Sequence, residues 1–224
     1  MGGPPLFFCQ SFGSCTRFFC YRKDAGDMEH STEILYNRTA VYCSAEHRFG
    51  SDALLLSRFC APKRAEAAVD LCSGCGIVAL AWHDAGHRGP CAAVELQPPA
   101  SALLQAAVAD QDIRHIQPVC ADLRTFAQQP GQWDVCACNP PYFTQGPAAD
   151  SPARALARHE ESCGLEDVCS CGFRLLRDGG KLALCHRPER LAEVLAALRA
   201  ARLEPKRLAF VKNTPDGAPW LFLV

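Results

Sequence analysis

One stretch limits the fold more than any other. Ala67-Ala68-Val69-Asp70-Leu71 is an apolar run broken by a single acid. Cys72-Ser73-Gly74-Cys75-Gly76 is a turn of small residues, and Ile77 to Ala85 has a helical pattern. A buried strand that feeds a helix through a glycine turn is half of a βαβ unit, the unit that builds parallel sheets. The alternation continues. Cys91 to Glu95 reads as a second strand, Pro98 to Ala109 as a helix, Ile116 to Cys120 as a third strand and Trp133 to Cys138 as a fourth. A long loop with Gly146, Pro147 and Pro152 leads to a helix over Leu165 to Leu176. Asp178-Gly179-Gly180 then turns into a strand over Lys181 to Cys185, followed by an amphipathic helix over Glu189 to Ala201. Leu208 to Lys212 and Trp220 to Val224 are two strands joined through Pro215-Asp216-Gly217. Before all this, Glu33 to Ser44 reads as a hairpin around Asn37-Arg38. A helix over Ala53 to Cys60 follows, with Ser51 or Asp52 as its N-cap. The expected fold is three-layer α/β: a mostly parallel sheet, a C-terminal antiparallel hairpin and helices on both faces.

Length and composition fit one domain. The chain has 224 residues, of which 49% are hydrophobic, enough for a sizeable core. Residues 1–30 lack any period and read as an atypical, disordered extension, with Met28 as the expected natural start; the domain proper is 31–224. Net charge is −1, so any nucleic-acid surface must be local rather than global. No apolar run has the length of a membrane span, which takes roughly 20 residues. Fifteen cysteines stand mostly where small hydrophobes would, as at Cys60, Cys91, Cys120, Cys136 and Cys185. That usage fits a reducing cytoplasm, and no pair of CxxC units stands at zinc spacing, so no metal is expected.

The glycine turn is the first candidate site. Gly74 and Gly76 allow a tight turn and the close approach of a ligand. Glu95 ends the next strand, where an acid can accept from a ribose diol. Gly74, Gly76 and Ala79 also fit a loose dinucleotide fingerprint. Asp70, however, stands beside the place a pyrophosphate would take, and an acid there suits a cation such as the ammonium and sulfonium of S-adenosylmethionine (SAM). Asp122 after the third strand either accepts from an adenine amino group or caps a short helix over Leu123 to Ala127. Asp52 is either a cap or an acid aimed at a ligand.

The second candidate site is Asn139-Pro140-Pro141-Tyr142-Phe143 at the carboxyl end of the fourth strand. Two prolines cannot continue a ladder, and that edge of an open α/β sheet is where ligands bind. The Asn139 side-chain oxygen and the Pro140 carbonyl are two rigidly held acceptors for the hydrogens of a planar amino group. Tyr142 offers a stacking face. A strand-ending turn alone would explain the prolines but not their coincidence with Asp70, Gly74, Gly76 and Glu95.

At these residues the chain resembles the class I SAM-dependent methyltransferases, over about residues 31–224. More narrowly it is similar to the bacterial tRNA(Val) adenine-N6 methyltransferases. The likeness rests on His47-Arg48-Phe49-Gly50-Ser51-Asp52-Ala53-Leu54-Leu55-Leu56, Asp70 to Gly76, Val94-Glu95, Asn139 to Phe143, Ala157-Arg158-His159-Glu160 and Cys185-His186-Arg187-Pro188-Glu189-Arg190-Leu191. It implies a Rossmann-like seven-stranded fold and methyl transfer from SAM to the exocyclic N6 of adenine near a tRNA anticodon. It also implies SAM contacts at Asp52, Asp70, Cys72, Gly74, Gly76, Glu95, Asp122 and Asn139. Asn139, Pro140 and Tyr142 would be the catalytic set. Tyr142, Phe143, Arg48, Arg158, His159 and Arg187 would touch substrate. Further basic candidates for RNA are Arg38, His47, Arg154, Lys206, Arg207 and Lys212. Cys72 and Cys75 replace the Gly, Ala or Ser frequent in the family. The alternatives are a protein-glutamine or other rRNA or DNA amino methyltransferase, and a nucleotide-binding module without catalysis.

Overall fold

The structure, a computed structural model, describes residues 6–9, 16–17, 21–23, 30–126, 130–140 and 163–224. Three short strands, β1 (Leu6–Cys9), β2 (Thr16–Arg17) and β3 (Tyr21–Lys23), precede β4 (Ser31–Ile34) and β5 (Ala40–Cys43). Then come α1 (Ser51–Phe59), β6 (Ala68–Leu71), α2 (Ile77–Asp84), β7 (Cys91–Glu95), α3 (Pro98–Asp110), β8 (Ile116–Cys120) and β9 (Trp133–Cys138). The chain ends with α4 (Leu165–Leu175), β10 (Leu176–His186), α5 (Leu191–Ala200), β11 (Ala209–Lys212) and β12 (Pro219–Leu223). The expected start at Met28 lies outside the described residues.

Seven strands form the central sheet in the order β11-β12-β10-β9-β6-β7-β8. The strands from β10 to β8 pair in parallel, and β12 is antiparallel to both β10 and β11. This is the expected mostly parallel sheet with a terminal hairpin. Beyond β11, β1 and β2 add antiparallel strands, with Phe8 opposite Lys212. A separate antiparallel sheet joins β3, β4 and β5.

The central strands read as unbroken apolar runs because both faces are covered. All four residues of β6 and all five of β7 are buried. One core lies under α1, α2 and α3, with Leu56, Leu80, Trp82 and Leu104. The other lies under α4 and α5, with Leu175, Leu184, Val194 and Phe222.

Four local expectations are corrected. Gly50, not Ser51 or Asp52, is the N-cap of α1, so Asp52 falls in the first turn. Residues 121–126 form a turn rather than the start of a helix, because Asp122 closes on Arg124 two residues later. Asp178-Gly179-Gly180 lies inside β10 as a register shift opposite β9, with Gly179 at φ +76°. Cys120 is exposed, because β8 is an edge strand whose last residue reaches solvent.

Away from the sheet edge, His83, His87 and His115 cluster between α2 and β8. His83 Nδ1 and His115 Nε2 lie 3.4 Å apart with stacked rings, and His87 meets His115 edge-on. Burial lowers the pKa of all three, helped by neighbouring positive charge including Arg88. His115 is pushed down to about 4 from the ordinary 6.5. The unfolded chain therefore takes up protons that the folded chain refuses. Stability from this cluster is complete above pH 6.5 and is lost as the pH falls towards 4. The thermal midpoint should drop on acidification from pH 7.5 to 5, and His115→Asn should shrink that drop, as calorimetry would read.

Candidate functional site

Register brings the site together. Asp70 of β6 pairs with Ala93 of β7 and Ala137 of β9, and Leu71 with Val94 and Cys138. Leu184 of β10 also pairs with Cys138, which puts Cys185 beside Asn139. Asp70, Glu95 and Asn139 therefore reach the same edge of the sheet. That edge is also where strand order reverses, since β7 and β9 lie on opposite sides of β6. A crevice at such a reversal is the usual ligand site of an open α/β sheet.

A cleft of about 580 Å³ opens there, large enough for a nucleoside with an amino-acid tail. Its wall includes Arg48, Asp52, Asp70, Cys72, Gly74, Glu95, Asp122, Asn139 and Pro140. Gly76 is set back from it, with its Cα turned to the side chain of Leu104. Arg187 is also off the wall; its Nη1 donates to the Trp220 carbonyl at 3.0 Å. Tyr142, Phe143, Arg158 and His159 lie outside the described residues, as does Arg154. Of the other basic candidates, His47 is buried, and Arg207 lies over the Phe59 ring while donating to the Phe59 carbonyl.

Each acid is held differently. Asp70 is 1% exposed, and its carboxyl is pushed well above the usual range. Burial does most of this; the nearby Glu95 charge adds to it, while the Ala79 amide opposes it. An acid in that state gains most from a cation brought into the cleft. Glu95 accepts from the Gly74 amide at 2.7 Å and from the Gln97 amide at 2.9 Å. These bonds fix both carboxylate oxygens and leave each with lone pairs for further donors. Asp122 bonds the Arg124 guanidinium at 2.6 Å, and that contact holds its carboxyl below the usual range.

Asn139 is fixed from both sides. Its Nδ2 donates to Asp52 Oδ2 at 3.3 Å, and its Oδ1 accepts from the Cys185 thiol at 3.0 Å. The other Asp52 oxygen accepts from the Ala53 amide at 2.9 Å. Asp52 thus ties the start of α1 to the end of β9. No local pattern signals this link, because it joins residues 87 positions apart. Several further wall residues escaped the sequence, among them Leu96 and Cys163. Leu96 exposes 39% of its surface directly after Glu95, and the Cys163 thiol meets that of Cys72.

The residues present fit SAM on three further observations. Ser73 Oγ and His47 Nε2 are buried on the cleft wall without partners. Gly74, at φ +55°, has nothing within 4 Å of where a Cβ would stand, so its backbone can be approached closely. The first turn of α2 carries no acid.

A family model described as "Methyltransferase small domain" matches residues 33–163. The chain belongs to the methyltransferase small domain family. It is 28% identical over 172 residues to the tRNA1(Val) (adenine(37)-N6)-methyltransferase of Shewanella sp. (strain MR-4), covering 75% of this chain and 72% of the relative. To the protein of that name from Parabacteroides distasonis it is 26% identical over 181 residues, covering 79% and 75%. Among solved structures it superposes on a geranyl diphosphate methyltransferase in complex with GPP and sinefungin. The TM-score is 0.58 at 15% identity, covering 77% and 76%. It also superposes on a predicted O-methyltransferase from Agrobacterium tumefaciens, with TM-score 0.56 at 20% identity, covering 77% and 78%. The fold is therefore the Rossmann-like methyltransferase fold, and the protein is a SAM-dependent methyltransferase. Among the described residues, no helix is long and apolar enough to cross a membrane.

Proposed function

We propose that the chain methylates the exocyclic N6 of adenine in tRNA, near the anticodon. The observation that carries this is the fixed Asn139 amide beside Pro140 on the wall of the SAM cleft. The relatives' names supply the polymer.

The chemistry follows from the acceptor. An adenine amino group is a poor nucleophile because its lone pair is delocalised into the ring. Bound SAM supplies a methyl group already activated on a sulfonium. The protein's task is to localise and aim the amine lone pair. Asn139 Oδ1 and the Pro140 carbonyl would accept the two N–H hydrogens and hold the nitrogen towards the methyl donor, and the proton that N6 loses on methylation would pass along one of these hydrogen bonds to solvent. Asp52 serves as a positioning residue, since its bond to Nδ2 keeps Oδ1 turned to the amine. Asp70 would pair with the cationic tail of the cofactor. Glu95 would accept from the ribose and Asp122 from the cofactor adenine, with Leu96 on the same part of the wall. Cys72 and Gly74 would line the cofactor, and Gly76 sets the turn. Tyr142 would offer the extruded target base a stacking face, and Phe143 would touch substrate. Arg48, exposed at the cleft, together with Arg158, His159 and Arg187 would meet the RNA backbone.

The test is to supply labelled SAM to the full chain with unmodified tRNA, ribosomal RNA and cell protein in separate reactions. Label should enter tRNA. Label in protein alone would make it a glutamine-type methylator, and tight SAM binding with no transfer would make it a binding module.

A further inference from the structure

We propose that Cys185 is a positioning residue for methyl transfer: its thiol sets which way the Asn139 amide faces, and so where the target amine is held. This rests on the amine-clamp reading above and names what aims the acceptor.

A side-chain amide carries oxygen at one end and nitrogen at the other, and a half-turn of its last bond exchanges them. Two contacts choose between the orientations. Asn139 Nδ2 donates to Asp52 Oδ2 at 3.3 Å, and the Cys185 thiol donates to Asn139 Oδ1 at 3.0 Å. With the amide reversed, its oxygen would face a carboxylate and its N–H would face a thiol hydrogen.

The two contacts differ in what competes for them. At 3.3 Å the bond to Asp52 is long for an N–H donor. Asp52 also stands on the cleft wall, where a cationic ligand draws on the same charge. Cys185 is 0% exposed and off that wall, in the core under α1. A ligand in the cleft therefore does not compete for it. Its backbone is fixed from both sides, because Leu184 pairs with Cys138 of β9 and Cys185 with Leu223 of β12. The donor thus sits on regular sheet beside the end of β9, with no loop between it and the amide.

The chemistry of sulfur suits the task. A thiol is a weak donor, so it orients Oδ1 and leaves the second lone pair free for the amine. A thiolate would instead accept, and would draw Nδ2 towards itself. Burial, and after it the Asp52 charge, push the Cys185 thiol well above its ordinary range, so the proton stays on sulfur.

Three variants of the full chain test this, read by single-turnover transfer from labelled SAM to unmodified tRNA and by calorimetric titration of S-adenosylhomocysteine. Cys185→Ala and Cys185→Val remove the donor, and valine keeps the site filled. Both should transfer roughly three- to tenfold more slowly, the scale of one hydrogen bond. Cys185→Ser keeps a donor and should recover transfer to within about twofold of the unaltered chain. S-adenosylhomocysteine should bind all three within about twofold of the unaltered chain, which also reports that they are folded. A packing role predicts the reverse order, because a buried hydroxyl suits an apolar core less than valine does. Valine at full rate, serine slower than valine, or cofactor binding that falls in step with transfer would each overturn the proposal and leave the Asn139 clamp intact. No label in tRNA from the unaltered chain overturns both.

Discussion

Asn139→Ala should cut methyl transfer by roughly 10²–10³-fold, the scale seen when one preorganised polar group is removed from a reacting centre. S-adenosylhomocysteine binding should stay within about threefold, below the effect of one lost charged hydrogen bond. The split follows from how the residue is held. The amide oxygen already takes a weak bond from the Cys185 thiol and keeps a second lone pair for the amine. Alanine removes that acceptor. It does not remove Asp52, which keeps its bond to the Ala53 amide at the start of α1. The cofactor wall therefore survives the loss of the clamp. Single-turnover transfer with calorimetric binding on the same preparation checks this. Parallel loss of both would mean that Asn139 holds cofactor rather than amine.

Gly76→Ala should cost the fold rather than the chemistry. At φ +80° a side chain pays about 1–2 kcal/mol for the left-handed conformation. The new Cβ would also stand 2.3 Å from a methyl of Leu104, a side chain with no exposed surface and no room to move. Overpacking of that kind costs roughly 1–3 kcal/mol more. The sum of roughly 2–5 kcal/mol is a large share of the 5–15 kcal/mol that holds a domain folded. In a chain of this length it should lower the thermal midpoint by roughly 5–15 °C. Gly74→Ala is the contrast. Its φ of +55° carries the same conformational cost, but its Cβ meets nothing and points to open space on the cleft wall. That variant should fold with a smaller loss and bind SAM more weakly. Thermal unfolding and cofactor titration of the pair separate a packing glycine from a ligand glycine.

Much of this was legible in the chain because it depends on local pattern. The strand–turn–helix period placed β6 through β9, and the apolar runs announced a sheet covered on both faces. Asp70, Glu95 and Asn139 each end a strand, and parallel register carries strand ends to one edge. Three kinds of feature were not legible. The first is contact across long separation, such as Asp52 with Asn139, which only the docking of α1 on the sheet creates. The second is whether a polar residue faces in or out. His47 looks like any basic residue in a polar stretch, yet its surrounding turn buries it. The third is small irregularity. Gly179-Gly180 permits either a turn or a bulge, and the pairing of β10 with β9 decided for the bulge.

The acceptor atom decides the central claim. On the proposed reading, Asn139 and Pro140 would present two acceptors to an amine with two hydrogens, which in adenine is N6 alone. Digestion of unmodified tRNA after reaction with the protein and SAM, followed by chromatography and mass spectrometry of the nucleosides, reads that atom. N6-methyladenosine as the product, absent with Asn139→Ala, is the expected result. N1-methyladenosine, C2-methyladenosine or a ribose-methylated nucleoside would show that the clamp serves some other end.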